Sequence, residues 1–160
     1  MIYYKVKFIW NKFEIIALLT KENKIAFIGL SNPYYDSLNE FKDILEIEDK
    51  DKIEFVKTKL DSFESKSYIF NESDFYLEYL SDNTKYIYKE LTKIDYGNYL
   101  TYGEFAKLIG QEKAVRSIAT KIGKNPIALL IPCHRIISSN KAVKYRYGSK
   151  TKNELINNKL

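Results

Sequence analysis

The sequence predicts an α+β protein in which antiparallel strands near the N-terminus are followed by a mainly helical C-terminal part. Three runs in the first thirty residues, 3–9, 13–19 and 25–30, are rich in β-branched and aromatic residues, and short polar turns separate them. Beyond residue 80, apolar residues recur at the spacing of one helix face. We therefore expect two domains, residues 1–80 and residues 81–160.

The elements after the three strands follow from breakers, caps and helical spacing. Ser31-Asn32-Pro33 predicts a break, and the mixed charged segment after it predicts one helix, over residues 51–63. Ser81-Asp82-Asn83 provides an N-cap for a helix with an apolar stripe of Ile87, Tyr88, Leu91 and Ile94. Thr101 and Glu104 have the spacing of a capping box. They begin a short helix whose predicted inward residues are Phe105, Leu108 and Ile109.

A second short helix is predicted after the turn at Gly110, over residues 112–122. Its apolar face consists of Val115, Ile118, Ala119 and Ile122. Its polar face carries Lys113, Arg116, Ser117, Thr120 and Lys121. Two short helices joined by a glycine turn indicate a helix-turn-helix, although a solvated helical hairpin produces the same pattern.

The only cysteine, Cys133, stands beside the only histidine, His134, in the segment Ile-Pro-Cys-His-Arg. This segment ends the apolar run 127–131, which we predict to be a buried strand. The reactive form of cysteine is the thiolate, and nearby positive charge lowers the thiol pKa. His134, Arg135 and the lysines downstream are expected to provide that charge. The alternative is that Cys133 is a small core residue, because free cysteine is often buried.

Composition and charge exclude several classes of protein. The chain has no run of 18 apolar residues and no signal-peptide pattern, so we expect an intracellular protein without a membrane partner. One cysteine cannot form an internal disulfide, and one cysteine with one histidine gives no metal-ligand spacing, so we predict no metal site. Residues 81–160 carry 15 Lys/Arg and 6 Asp/Glu, a net charge of +9, against −4 for residues 1–80. This asymmetry favours an anionic partner, nucleic acid above all, unless the lysines only maintain solubility.

The C-terminal part resembles the O6-alkylguanine-DNA alkyltransferases, also called methylated-DNA–protein-cysteine methyltransferases. The resemblance covers residues 83–157 and depends mainly on the pentapeptide 131–135. Supporting motifs occur in the order of the family: Ile94 with Gly97, Tyr102-Gly103-Glu104, Lys113-Ala114-Val115-Arg116, Asn125-Pro126, and Tyr145 with Gly148 and Lys152. The resemblance implies a ribonuclease-H-like N-terminal domain and a winged helix-turn-helix C-terminal domain. Residues 1–80 match the family only in size and in their opening strands.

The function that the resemblance implies is DNA repair by a single, irreversible alkyl transfer. A monomer without cofactors would bind the minor groove of double-stranded DNA, flip out an O6-alkylguanine, chiefly O6-methylguanine, and transfer the alkyl group to Cys133. His134 would remove the thiol proton through a water molecule, and Tyr102 would donate a hydrogen bond or proton to the guanine ring. Asn125 and Arg135 would hold the turns of the active site together.

The resemblance also assigns DNA contacts and pocket residues. The implied DNA contacts are Lys113, Ala114, Arg116, Ser117, Thr120, Lys121 and Arg135, with Arg116 filling the space that the flipped base leaves. The implied pocket residues are Tyr102, Ile136, Tyr145, Arg146 and Tyr147. Arg146 and Tyr147 stand where smaller residues are usual, so we predict a narrow pocket. The protein is expected in a prokaryotic cytoplasm, or wherever genomic DNA is housed.

One departure from the family concerns the histidine that would act as the general base. Counting from Lys152 places Lys159 where the family has a glutamate that orients the histidine, so we predict slower transfer than in typical members. Two other functions remain open: a protein that recognises alkylated DNA without transfer, and a winged-helix regulator in which residues 1–80 sense or dimerise. The presence of Cys133 favours transfer over both.

Overall fold

The computed structural model describes residues 1–30, 38, 40–139 and 145–157. Contacts between Cα atoms divide the chain into two compact units. The first consists of Met1–Tyr79 with Pro126–Leu130, and the second of Leu80–Asn125 with Ile131–Leu160. The fold is mixed α+β, as predicted. The segment Pro126–Leu130, which a single boundary at residue 80 assigns to the C-terminal domain, makes its contacts in the first unit.

Three predictions concern residues outside those that the structure describes. These are the breaker Ser31-Asn32-Pro33, most of the loop between Ser138 and Tyr145, and Lys159 at the position of the family's glutamate. Within the described residues, no helix combines the length and apolar character that crossing a lipid bilayer requires.

A four-stranded sheet forms the first unit, with strand order β3-β2-β1-β4. The antiparallel strands β1 (Tyr3–Trp10), β2 (Phe13–Leu19) and β3 (Ile25–Leu30) confirm the predicted meander. The fourth strand, β4 (Ile44–Glu46), pairs parallel to β1 and was not predicted. It has only three residues, which are partly or fully exposed, so it leaves no periodic apolar signal.

Helix α1 (Lys50–Glu64) confirms the helix predicted over residues 51–63. Asp49 caps its N-terminus by accepting hydrogen bonds from the first backbone N–H groups. Val56, Leu60 and Phe63 form its buried face. This face has the i, i+4, i+7 spacing of an amphipathic helix and contributes to the core of the first unit.

The strand predicted over residues 127–131 is wrong. Ile127 forms a single parallel bridge with Ile28, closed by hydrogen bonds from Ile28 N to Pro126 O (2.8 Å) and from Ala128 N to Ile28 O (2.9 Å). The chain then turns, because Leu129 adopts a left-handed conformation with φ of 69°. Every residue of this run is buried, so its apolar character reported burial and could not distinguish a strand from a buried turn.

The second unit is mainly helical. Its helices are α2 (Asp82–Leu91), α3 (Tyr102–Leu108), α4 (Val115–Gly123) and α5 (Ser149–Asn157). A two-stranded parallel sheet joins β5 (Leu100–Thr101) to β6 (Ile136–Ile137). Ser81 caps α2, and the four residues of its predicted stripe are all buried, which confirms that helix.

Two details of the α3–α4 pair differ from prediction. The α-helical part of the second helix begins at Val115, because a short 3-10 turn, Glu112–Ala114, precedes it. Leu108, predicted to point inward, is 69% exposed, whereas Phe105 and Ile109 are buried as expected. A seven-residue helix shows only one narrow face to the core, and Leu108 falls beside that face.

The capping box of α3 is formed as predicted. The Thr101 side chain accepts from Glu104 N at 3.1 Å, and the Glu104 carboxylate accepts from Thr101 N at 3.0 Å. These bonds pair two backbone N–H groups that have no partner within the helix. They also fix the conformation of the chain that enters Tyr102, the first residue of α3.

We expect Thr101→Ala to lower the free energy of unfolding by about 1 kcal/mol, the usual effect of losing an N-cap side chain. Urea denaturation measures this change. The matched control is Thr120→Ala on α4, where the lost hydroxyl is exposed and bonds only the Arg116 carbonyl within its own helix. Equal stability of the two variants would contradict a structural role for the capping box.

Candidate active site

Cys133 is presented by two successive tight turns. Pro132 has φ of −81° and ψ of 64°, and Cys133 N donates to Ile131 O at 2.8 Å. These values define an inverse γ-turn, which the fixed φ of proline favours. A 3-10 turn, Cys133–Arg135, follows directly and leads into β6. The thiol is thereby held at a fixed place in the second unit, where Cys133 is 7% exposed.

Asn125 ties together the backbone around the thiol. Its Nδ2 donates to Ile131 O at 2.7 Å in a buried hydrogen bond. A further hydrogen bond from its side chain acts on the Cys133 thiol. Its own carbonyl accepts from Arg146 Nη1 at 2.7 Å. The predicted role of Asn125, to hold the turns of the site together, is consistent with these contacts.

A small cavity lies against the thiol. Its volume is about 20 Å3, enough for one water molecule. Its lining residues are Tyr102, Ile122, Gly123, Asn125, Cys133, Tyr145 and Arg146. The structure thus brings together Cys133, Asn125, Tyr102, Tyr145 and Arg146, which the sequence assigns to the catalytic group or the pocket.

A larger groove of about 520 Å3 lies beside this cavity. Four residues line both: Tyr102, Gly123, Tyr145 and Arg146. The groove is completed by Arg116, Ala119 and Thr120 of α4 and by Ser138. The polar face of α4 and the thiol are therefore connected through one continuous set of side chains.

Burial raises the pKa of the Cys133 thiol above its ordinary value. The hydrogen bond from Asn125 and the positive charges of Lys152 and Arg146 lower the pKa, but the effect of burial is larger. The expected lowering by nearby positive charge is therefore present, but it is smaller than the effect of burial, so the thiol pKa is raised overall. The cations that act on the thiol are one of the expected downstream lysines, Lys152, together with Arg146, which was not among the cations expected.

Lys152 is a buried cation that sequence reasoning used as a motif residue but did not assign to the site. It lies on α5, is 2% exposed, and donates its Nζ to Ile136 O at 2.5 Å. Burial lowers the pKa of Lys152, and the nearby Cys133 raises it. The available signal was its helical spacing, because Lys152 and Leu155 are the buried positions of α5.

The two tyrosines of the cavity are held as neutral phenols. Burial raises the pKa of Tyr102 and raises that of Tyr145 well above the ordinary value, and the nearby Cys133 adds to both shifts. A neutral phenol can donate a hydrogen bond. The Tyr145 ring meets the Tyr147 ring edge-on, with centroids 5.5 Å apart.

The remaining predicted pocket residues, Ile136 and Tyr147, do not line the small cavity or the groove. Ile136 is fully buried, and its carbonyl accepts the bond from Lys152. Tyr147 is buried and packs its ring against Tyr145, which lines the cavity. His134 is also fully buried, directly after the thiol in the same 3-10 turn.

The assignment of Arg135 to DNA contact needs correction. Arg135 is 3% exposed, donates from Nη1 to Ile94 O at 2.5 Å, and stacks over the Tyr96 ring at 4.4 Å. Burial lowers its pKa, and Tyr96 partly offsets that effect. A guanidinium in these surroundings supports the backbone and does not reach a DNA surface.

The other predicted DNA contacts lie on or beside the outer face of α4. Lys113, Arg116, Ser117 and Thr120 are exposed, and Ala114 and Lys121 are partly exposed. Ile118 and Ile122 are buried on the opposite face, which matches the predicted amphipathic pattern. Among the residues that the structure describes, no group of three or more metal-ligating side chains occurs.

Comparison with known proteins places this site in a family. Residues 82–159 match the family model described as 6-O-methylguanine DNA methyltransferase, DNA binding domain. The methylated-DNA–protein-cysteine methyltransferase of Saccharomyces cerevisiae is 42% identical over 79 residues, which are 49% of this chain and 42% of that protein. The match therefore spans less than half of the yeast protein.

A second relative is similar along nearly the whole chain. The probable methylated-DNA–protein-cysteine methyltransferase of Acanthamoeba polyphaga mimivirus is 33% identical over 145 residues, 88% of this chain and 91% of the relative. The O6-methylguanine methyltransferase structure of Mycobacterium tuberculosis has the same fold, with a TM-score of 0.74, 21% identity, and coverage of 99% of this chain and 92% of that one. This chain belongs to the methylated-DNA–protein-cysteine methyltransferase family.

We expect Arg135→Lys to lower the free energy of unfolding by about 2 kcal/mol, the scale of a hydrogen bond from a charged group. Lysine keeps the charge but loses the planar contact with Tyr96 and the reach to the Ile94 carbonyl. Urea denaturation measures the change. Arg116→Lys, at an exposed position, is the control and should alter stability by less than about 0.5 kcal/mol. Similar stability of both variants would contradict the structural role of Arg135.

Proposed function

We propose that this protein repairs double-stranded DNA by transferring the alkyl group of an O6-alkylguanine, chiefly O6-methylguanine, to Cys133 in a single turnover. The observation that carries the proposal is the position of the thiol. Cys133 adjoins a small cavity that shares four lining residues with the groove beside Arg116 on α4. Membership of the methyltransferase family supports the same chemistry.

The proposed reaction is a displacement at the alkyl carbon. The Cys133 sulfur forms a bond to that carbon, the bond from carbon to O6 breaks, and its electron pair leaves with the guanine oxygen. A proton from a donor such as the Tyr102 phenol neutralises the guanine that forms. The thioether product has no leaving group that a weak nucleophile could displace, so the protein acts once.

His134 would accept the thiol proton through a water molecule. Adjacent side chains in a 3-10 turn do not face each other, so a direct transfer from Cys133 to His134 is unfavourable. The cavity of about 20 Å3 beside the thiol has room for one water molecule that could take up the thiol proton, although His134 is not among the residues that line it. We propose His134 as the general base of this relay, with Asn125 as the side chain that orients the thiol.

The α3–α4 pair is the proposed DNA-binding element, a winged helix-turn-helix that enters the minor groove. Small and basic residues face outward on and beside α4, which permits close approach to the sugar-phosphate backbone. A base inside a duplex cannot reach Cys133 until it is flipped out, at a cost of a few kcal/mol. Arg116 lines the groove beside the cavity and is the proposed residue that fills the vacated stack.

We also propose separate roles for the two domains. Residues 81–160 would bind DNA and transfer the alkyl group, and residues 1–80 would act as a scaffold domain in a monomeric protein. Such a protein would work in a prokaryotic cytoplasm, or in whichever compartment holds genomic DNA. The small cavity, with Arg146 and Tyr145 in its wall, favours methyl over larger alkyl groups.

A second candidate function is recognition of alkylated DNA without transfer. The observation that favours it is the raised pKa of the buried Cys133 thiol, which leaves little thiolate at neutral pH in the DNA-free protein. The first experiment below separates the two functions.

When the protein is mixed with a duplex that contains one O6-methylguanine, we expect each molecule to gain the mass of one methylene group, located at Cys133. Intact-mass spectrometry followed by peptide mapping measures this. A Cys133→Ser variant should bind the same duplex and gain no mass. Tight, damage-selective binding without any gain in the unmodified protein would instead establish a recognition protein.

We expect Arg116→Ala to slow repair of the paired duplex by at least about tenfold and to leave reaction with free O6-methylguanine nearly unchanged. The free base needs no flipping, so only the duplex reaction depends on filling the stack. Single-turnover rates on both substrates measure the difference. Lys107→Ala, an exposed cation on α3, is the control for general charge loss. Equal slowing on both substrates would remove the base-flipping role of Arg116.

A further inference from the structure

Two cations from the C-terminal part of the second unit are anchored beside the thiol. Lys152 Nζ donates to Ile136 O at 2.5 Å, and Arg146 Nη1 donates to Asn125 O at 2.7 Å. Ile136 follows the 3-10 turn that begins at Cys133, and Asn125 contacts the thiol through its side chain. Both cations are therefore bound to backbone carbonyls that adjoin the nucleophile.

Arg135, two residues after Cys133, does not direct its positive charge at the thiol. Arg135 directs its guanidinium to the Ile94 carbonyl and the Tyr96 ring. Lys152 and Arg146, 19 and 13 residues after the thiol, are the cations whose charges act on it. Lys152 is 2% exposed, and Arg146 forms part of the cavity wall.

We propose that Lys152 and Arg146 are positioning residues for alkyl transfer, which hold two fixed positive charges beside Cys133 and so stabilise its thiolate before the carbon–sulfur bond forms. The inference rests on the proposed function, because the transfer begins with this thiolate. In that step the sulfur electron pair forms the new bond, and the electron pair of the carbon–oxygen bond leaves with guanine. Neither cation gains or loses a proton.

The need for both charges follows from burial. A buried thiol is disfavoured as an anion, and an opposite charge within about 4–6 Å offsets this by about one to three pH units. The tyrosine neighbours of Cys133 cannot supply the same effect, because Tyr102 and Tyr145 are neutral phenols. His134 becomes positively charged only after it has accepted the thiol proton, whereas Lys152 and Arg146 carry their charge beforehand. The two cations are thus the groups suited to lower the energy of the thiolate.

The two cations differ in how firmly they keep their charge. Burial lowers the pKa of Lys152, whereas an arginine guanidinium remains charged throughout the range in which thiols titrate. Lys152 is bound within the interior of the unit, and Arg146 lines the groove from which DNA would approach. Arg146 is therefore the cation of the pair that borders the groove.

The test measures the thiol directly, in the whole protein and without DNA. The rate of alkylation by iodoacetamide is followed by mass spectrometry across a pH series. The chain has one cysteine, so the Cys133→Ser variant gives the background from other nucleophiles. The variants are Lys152→Met and Arg146→Met, which remove a charge, and Arg146→Lys, which keeps it. Lys150→Met, at an exposed position of α5, is the matched control.

We expect the midpoint of the pH profile to rise by about one unit in Lys152→Met and in Arg146→Met. Arg146→Lys should restore the midpoint, and Lys150→Met should not change it. Circular dichroism establishes which variants fold. If Lys152→Met does not fold, the midpoint of Arg146→Met alone tests the proposal.

An unchanged midpoint in the folded charge-removing variants would overturn the proposal, even if the rates fell at every pH, because uniform slowing indicates a structural role. The proposed function is tested separately by the methylene gain from O6-methylguanine DNA. A shifted midpoint without methyl transfer would support the role of the two cations and contradict the proposed alkyltransferase function. Methyl transfer with an unchanged midpoint would support the function and contradict the role of the cations.

Discussion

The buried hydrogen bond from Asn125 Nδ2 to the Ile131 carbonyl is the constraint on which the candidate site depends. Asn125 is the last residue of the second unit before the segment Pro126–Leu130, and Ile131 is the first residue after it. The hydrogen bond therefore joins the two ends of that segment. Ile131 is also the acceptor of the γ-turn that presents Cys133. Breaking this bond would take away one of the two hydrogen bonds that the buried Ile131 carbonyl accepts, a loss of about 0.5–1.5 kcal/mol, and would leave the γ-turn held by the Cys133 N–H alone.

Further contacts of the site converge on the same residue. The Asn125 side chain bonds the thiol, and its carbonyl holds Arg146 at the wall of the cavity. One amide side chain and one carbonyl thus determine the positions of the nucleophile and of one cation beside it. A substitution of Asn125 would remove the side-chain contacts with Ile131 and the thiol but keep the backbone carbonyl that holds Arg146, and Lys152 is held independently through Ile136.

The sequence predicted the elements whose signals are local and missed the features that depend on tertiary burial. The three-stranded meander, α1, α2 and the capping box of α3 were all predicted from runs of β-branched and aromatic residues, helical spacing and cap residues. The run 127–131 was wrongly predicted as a strand because a segment that is buried throughout shows neither the alternation of a half-buried strand nor the repeat of a helix. Arg135 was assigned to DNA through the family resemblance, and only the tertiary structure reveals its burial and its contacts with Ile94 and Tyr96.

The burial of Cys133 has a consequence for the lifetime of the unreacted protein. Oxidation and attack on small electrophiles both proceed through the thiolate, so a shielded and mostly protonated thiol is attacked slowly by peroxides and by disulfides in the surrounding solution. A protein that spends its nucleophile in a single event loses its whole capacity when that sulfur is oxidised. In the proposed function, the raised thiol pKa would protect the sulfur chemically until a flipped base reaches the pocket.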